Sequence, residues 1–209
     1  MCILAFNVQG FRAGVDRVAD VLAATDPDVA LLNEVVRRPG AALARMTRRR
    51  FVFGATRRWR AFGNAILLRD PPTRTIRGRF TFSPPFQRRG FVGALRSDGV
   101  LVVATHLGTS GEERVRHVAE FLRAVDGYER VVIGADCNEG AGGPTVAIMK
   151  ERFIDVFDRV GEGMGETFPA DAPLHRIDYV FCSLTLTPSR AAVVPLIASD
   201  HLAVVADID

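Results

Sequence analysis

One stretch limits the folds open to this chain more than any other: residues 131–139, Val-Val-Ile-Gly-Ala-Asp-Cys-Asn-Glu. Val131, Val132 and Ile133 form a continuous β-branched run, the pattern of a strand covered on both faces. Gly134 and Ala135 are small and admit close approach of other backbone. The run then stops at a polar tip. Asp136 and Asn138 stand two positions apart, so extended backbone would point both to one side. A carboxylate and an amide at one strand end suit hydrolysis. The carboxylate takes a proton or binds a metal, and the amide fixes its orientation or contacts substrate. The same pair suits an Asx turn that only closes the strand. The rest of the chain decides between the two.

No linker, repeat or low-complexity segment interrupts the sequence, so a single domain over residues 1–209 is expected. Val15, Val18, Val21 and Leu22 recur at helical spacing and predict a helix over 14–24. Further helices are expected over 41–49, 112–125 and 145–152. The third has an inner face of Val115, Val118, Phe121, Leu122 and Val125, with His117 on its surface. Apolar runs predict strands near 1–9, 29–32, 51–55, 64–68, 91–96, 100–105, 131–135, 177–182, 192–196 and 202–208, with alternation over 73–82. A loop containing Gly and Pro is expected across 161–173. Strands and helices mix without strict alternation. The expected fold is therefore α/β: two mixed β-sheets packed face to face with helices outside, a four-layer sandwich.

Composition excludes some classes. No apolar run approaches a membrane span, and the first residues lack the basic and apolar regions of a signal peptide. Cys2, Cys137 and Cys182 are odd in number and sit in apolar contexts, which fits buried thiols and a cytoplasmic location. Lys150 is the single lysine among 27 basic residues. So complete a bias toward arginine points to genome base composition and weakens any argument from arginine patches.

Strand after strand ends in a polar residue: Asn7, Glu34, His106, Asp136 with Asn138, Asp178, and Asp200 with His201. Ligands gather where strand ends converge. Carboxylates and amides without a cysteine cluster favour a hard cation, Mg²⁺ or Mn²⁺. Each residue alone has a plainer reading. Asp178 could pair with Arg176, and Asp200 could serve a turn.

Six segments in order resemble the endonuclease/exonuclease/phosphatase superfamily of metal-dependent phosphohydrolases: Phe6-Asn7-Val8, Leu32-Asn33-Glu34-Val35, Thr105-His106-Leu107-Gly108, Gly134-Ala135-Asp136-Cys137-Asn138, Arg176-Ile177-Asp178-Tyr179-Val180 and Ser199-Asp200-His201. Asn33 stands where a glutamine is usual, and Cys137 where a bulky apolar residue is usual. The resemblance implies Glu34 as main metal ligand, with Asn7 and Asp200 near the metal. It implies Asp136 as activator of the attacking water and Asn138 as a support for the phosphate or for Asp136. It further implies His201 on a phosphate oxygen, Asp178 fixing its tautomer, and His106 as a second phosphate contact.

The family does not fix the ester. Arg57, Arg58, Trp59, Arg60, Gln87, Arg88 and Arg89, with Arg37 and Arg38, form a candidate substrate rim. Arginines beside a tryptophan suit phosphates and a stacked base, and a pI of 9.1 agrees with a polyanionic partner. The expected activity is that of a phosphodiesterase or nuclease, with nucleic acid or another phosphate ester as partner and no membrane anchor or obligate protein partner. The alternatives are a phosphatase acting on a small phosphorylated metabolite or lipid head group, and an inactive nucleic-acid-binding scaffold.

Overall fold

The chain opens with a parallel crossover. Strand β1 (Cys2–Asn7) leads through a short 3₁₀ turn (Gln9–Phe11) and helix α1 (Val15–Thr25) to β2 (Val29–Val36), which pairs parallel with β1. After α2 (Arg37–Met46) come β3 (Arg50–Ala55), β4 (Phe62–Leu68), β5 (Arg74–Arg79) and β6 (Gly90–Leu95). A second parallel crossover follows: β7 (Leu101–His106), α3 (Gly111–Val125) and β8 (Val131–Asp136). The chain closes with α4 (Pro144–Lys150), β9 (Phe153–Asp155), α5 (Val156–Val160), β10 (Gly161–Glu162), β11 (Asp178–Ser183), β12 (Pro188–Val194) and β13 (Ala203–Ile208). This computed structural model describes residues 1–56, 61–84 and 86–209.

Two mixed sheets result, as the sequence predicts. One runs β10-β12-β13-β1-β2-β4-β3 and the other β5-β6-β7-β8-β11-β9. Each has a parallel pair at its centre and is otherwise largely antiparallel. The layering follows from strand alternation. In β2, Val29 and Leu31 face a core between the sheets, while Ala30 and Leu32 face the outer core that α1 and α2 cover. In β8, Val132 joins the inner core; Val131, Ile133 and Ala135 join the outer core under α3 and α4. Gly134 lets the sheets close, since a Cβ there would stand 2.7 Å from Leu31 Cβ and 3.0 Å from Ala5 Cβ. Among the described residues no helix is long and apolar enough to cross a membrane.

Four expectations need correction. Helix α2 starts at Arg37, not at residue 41, so Arg37 and Arg38 lie in its first turn. Pro39 is tolerated there because the first N–H groups of a helix have no partner within it. Strands β9 and β10 and helix α5 are too short to leave a periodic signal, and β10 begins the segment expected to be loop. On α3 the inner face is set by His117, Val118, Phe121 and Val125, while Val115 is exposed. Arg176 pairs with Asp155 and Asp158 rather than with Asp178.

Candidate active site

Register brings the site together. In the second sheet His106 aligns with Asp136 across the parallel pair, and Asp178 aligns with Asp136 across the antiparallel pair. The three side chains thus stand abreast at one edge of three neighbouring strands. In the first sheet Asn7 aligns with Asn33. The ladder between β2 and β4 then slips: Leu32 pairs with Ala65, but Val35 pairs with Gly63. Two residues, Asn33 and Glu34, oppose Asn64 alone, which is a β-bulge. Leu32 and Val35, an odd three positions apart, both face the outer core as a result. Glu34 adopts a φ of 54°, left-handed backbone that a glutamate rarely takes and that marks functional sites.

Asp136 is 1% exposed. Its carboxylate accepts from Asn7 Nδ2 at 2.8 Å and from the Asn138 backbone N–H at 3.0 Å. The second bond is the Asx turn anticipated from sequence. The chain bends left-handed at Asn138, φ 49°, and aims its amide elsewhere: Nδ2 donates to the Leu107 carbonyl at 3.1 Å and lies 3.0 Å from His106 Nε2. His106 Nε2 is also 3.2 Å from Asp136 Oδ2, and its Nδ1 is 3.9 Å from Glu34 Oε1. Burial, with the positive charge of Arg89 behind it, holds His106 well below the ordinary histidine range, so the ring is neutral.

His201 has the opposite electrostatics. Burial opposes its charge, but the Asp178 carboxylate outweighs that through charge and a 2.7 Å contact to Nδ1, and raises it to about 9. Asp178 is fixed in turn by Thr167, whose hydroxyl donates at 2.6 Å. Phe168 packs against the His201 ring, centroids 4.9 Å apart. His201 Nε2 stands 4.0 Å from Asp136 Oδ2. Burial, then the neighbouring Asp178 charge, pushes the Asp136 carboxyl up to about 7.

Glu34 is half-buried and opens onto a cleft of about 710 Å³ lined by Gln9, Arg12, Phe62, Gln87, Arg89 and Thr109 among others. Arg89 Nη1 lies 3.6 Å from Glu34 Oε1. Gln9 joins this group although sequence reasoning passed it over. Its backbone N–H donates to Asn7 Oδ1 at 3.0 Å and its Nε2 to Asp200 Oδ2 at 2.7 Å. It lies two positions beyond Asn7, the offset that drew attention to Asn138 beyond Asp136. Asp200 Oδ1 accepts from Ser199 Oγ at 3.1 Å.

Two donor sets can be compared for a metal. Asp136, Asp178 and His201 each bring a ligand atom within 4.8 Å of the others. There Asp178 Oδ2 already accepts from His201 and Thr167, so the cluster is a hydrogen-bonded carboxylate–histidine pair next to a second acid. Glu34, Asn7 and Asp200 offer oxygen donors, of which Asn7 Oδ1 and both Asp200 oxygens likewise accept hydrogen bonds, and Gln9 ties these two residues to the cleft onto which Glu34 opens. All-oxygen donors at an accessible carboxylate fit a hard divalent cation.

Of the candidate rim, Arg89 lines the cleft and Arg88 is exposed. Arg57, Arg58, Trp59 and Arg60 lie outside the described residues. His117, expected on the surface, is fully buried, and its Nδ1 accepts from the Gly108 N–H at 3.1 Å.

Comparison with known proteins bears on the fold and the family. Among curated proteins none matches the chain. Solved structures match it over its full length. An endonuclease/exonuclease/phosphatase from Bacteroides vulgatus has a TM-score of 0.87 at 15% identity, with 98% of its chain covered. A mannosyl-6-phosphatase from Bacteroides thetaiotaomicron has a TM-score of 0.86 at 13% identity, with 99% covered. Danio rerio (D. rerio) TDP2, complexed with single-strand DNA product, has a TM-score of 0.81 at 18% identity, with 98% covered. At these identities the likeness is one of fold. The sequence profile of the Endonuclease/Exonuclease/phosphatase family matches residues 4–201, nearly the whole chain, and the chain therefore belongs to that family of phosphoester hydrolases.

Proposed function

We propose that the protein is a Mg²⁺- or Mn²⁺-dependent phosphoesterase that acts on phosphodiesters. The observation that carries this reading is the meeting of Asp136, His106, Asp178 and His201 at one buried strand edge, beside the carboxylate of Glu34. Glu34, Asn7 and Asp200 would hold the cation, which when bound neutralises charge on the phosphate oxygens. Asp136 would take the proton of the attacking water. Asn7 Nδ2 and the Asn138 N–H fix its carboxylate, leaving little freedom to lose on reaction. His201, charged and oriented by Asp178, would donate to a non-bridging oxygen and stabilise charge that grows in the transition state. The neutral His106 ring and the Asn138 amide would face the same phosphate from the other side.

Arg89 and the exposed Arg12 give the cleft a positive wall, which supports an anionic substrate running past Glu34. A small phosphorylated metabolite is the second reading, supported by the bounded cleft and by a structural neighbour that is a sugar phosphatase. The deciding experiment sets purified protein, with and without Mg²⁺ or Mn²⁺, against bis-p-nitrophenyl phosphate, p-nitrophenyl phosphate and single- and double-stranded oligonucleotides. His201→Ala is the control. Metal-dependent diester or oligonucleotide cleavage, lost in the variant, is the expected result. Cleavage of the monoester alone would establish the phosphatase. Oligonucleotide binding without turnover would establish a scaffold.

A further inference from the structure

Behind the site lies a sealed polar layer that no hydrolytic step uses. Asn33, Asn64 and Thr105 are 1%, 2% and 1% exposed. Asn33 Nδ2 donates to Asn64 Oδ1 at 3.2 Å and to the Thr105 carbonyl at 2.9 Å. Asn64 Nδ2 donates to the Gly90 carbonyl at 2.7 Å, and Thr105 Oγ1 to the same oxygen at 3.4 Å. Asn33 and Asn64 belong to β2 and β4 of the first sheet; Gly90 and Thr105 belong to β6 and β7 of the second. Two of these bonds, Asn33 to Thr105 and Asn64 to Gly90, therefore cross from sheet to sheet, and the other two tie neighbouring strands within each sheet, in a layer otherwise filled by apolar side chains such as Leu31, Ile66, Val92 and Ala104.

The bonded residues have telling neighbours. Asn33 precedes Glu34, Thr105 precedes His106, and Gly90 follows Arg89. Three groups that face one another at the site, Glu34, His106 and Arg89, are each one residue from the same buried network. Asn64 is also the single residue opposed by the bulged pair Asn33 and Glu34. A bulge leaves ladder groups unpaired and re-aims a side chain. Here the Asn64 side chain meets the Asn33 side chain where the ladder slips.

We infer that Asn64, acting with Asn33, is a positioning residue: their amide pair locks the bulge and so sets Glu34 in its left-handed conformation relative to Arg89 and His106. Ordinary core packing would hold the sheets together without specifying this. Partnered buried amides have few alternative arrangements, because any slip leaves a donor unsatisfied in a dry interior. An apolar pair would hold the layer with no such constraint.

That difference makes the test. Replacing both partners of a buried hydrogen bond by apolar groups costs less than removing one, and here the Gly90 carbonyl keeps the Thr105 hydroxyl while the Thr105 carbonyl loses its amide donor. The double variant Asn33→Leu/Asn64→Leu and the single variant Asn64→Ala are compared with Val102→Ala, a cavity in the same layer. Two readouts are taken: the crystal structure, for the Glu34 φ and its separation from Arg89, and Mn²⁺ affinity by titration calorimetry. The Mn²⁺ arm rests on the phosphoesterase reading; the crystallographic arm does not. The expected result is that Glu34 leaves positive φ in the asparagine variants and Mn²⁺ affinity falls by about 10-fold, as when groups that orient a ligand are removed. Val102→Ala keeps both. Glu34 unmoved in both asparagine variants, with affinity as in the wild type, would overturn the inference. Should Asn64→Ala fail to fold, the double variant supplies the same two readouts. A wild-type protein that binds no Mn²⁺ counts against the phosphoesterase reading, and the crystallographic comparison then decides the positioning claim by itself.

Discussion

Strands β1 and β2 carry charge at both ends, and the two ends behave oppositely. At their starts, Asp26 and Asp28 stand in the open with Arg69, which pairs with Asp26 at 2.7 Å and with Asp28 at 3.2 Å. The Asp26 side chain is 73% exposed, and the hydrogen bond and charge of Arg69 hold its carboxyl below the usual range. At the other end of the sandwich Asp136 is buried beside a second acid, and its carboxyl is pushed up. One end satisfies its charges cheaply in water. The other keeps charges that burial opposes, held by amides and a strained bulge. Folding alone does not call for the second arrangement, and this contrast supports the proposal that the buried end carries the chemistry.

The sharpest way to break the contrast is to neutralise its centre. Asp136→Asn is expected to lower kcat on bis-p-nitrophenyl phosphate by about 10³-fold or more, the loss typical when a proton acceptor is removed. The melting temperature of the metal-free variant should not fall, because a neutral amide removes repulsion with Asp178. A large drop in melting temperature with kcat retained would make Asp136 a structural group. Next in size is Asp178→Asn, which keeps shape but loses the charge that orients and protonates His201. About 10²-fold in kcat is expected, with the His201 ring nitrogens shifted in ¹⁵N NMR toward the neutral form. Unchanged ring shifts would detach Asp178 from His201.

How much of this was legible in the sequence depends on distance along the chain. The strand-end residues are legible because each follows or opens an apolar run, and the mixture of strands and helices without strict alternation gives the two sheets. The pairing of Asp136 with Asn138 held in a different form. An extended chain would set the two side chains parallel, but the left-handed turn at Asn138 sends its amide to His106. The bulge at Asn33 and Glu34 left no mark, because it shows only against the register of β4, 30 residues on. Helix α2 begins four residues before the expected 41, because a first turn accepts the proline in Arg37-Arg38-Pro39-Gly40. His117 reads as surface because it is polar, yet Phe121 and Val125 follow it at four-residue steps on the buried face.

That histidine sharpens the comparison at a smaller scale. His117 Nδ1 accepts from the Gly108 N–H, so the proton sits on Nε2, which donates to the Phe82 carbonyl. Burial pulls it below its ordinary 6.5, and Arg89 acts in the same direction. The Phe82 carbonyl, Glu113 and Glu120 pull the other way. A histidine depressed in the folded state is protonated first in the unfolded state. Its contribution to stability is present above 6.5 and is lost as pH falls from there toward the folded value. His106 shifts the same way, and Asp136, raised to about 7, works against both as pH falls, so the test is the change in slope and not the slope itself. In His117→Gln the melting temperature should fall less steeply on acidification below 6.5 than in the wild type, whatever the offset at neutral pH. Parallel curves would mean that the His117 ring titrates alike in both states.

The smallest effect is expected at the opposite end of the strands, and it tests the contrast from its quiet side. Asp26→Asn removes the carboxylate that Arg49 and Arg69 share. Because Asp26 is open to solvent, water takes over its hydrogen bonds, Arg69 keeps the Asp28 carboxylate, and the buried Arg49 keeps the Asp28 carbonyl. The melting temperature should stay within error of the wild type at moderate salt, and kcat should not change. The two variants thus apply one chemical change, carboxylate to amide, at the two ends of one sandwich. At Asp136 the change is expected to cut turnover by about 10³-fold or more without loss of stability; at Asp26 it should do nothing measurable. A clear loss of stability at Asp26 would show that the exposed pairs help hold β1 against β2. Burial would then not be what separates the two ends.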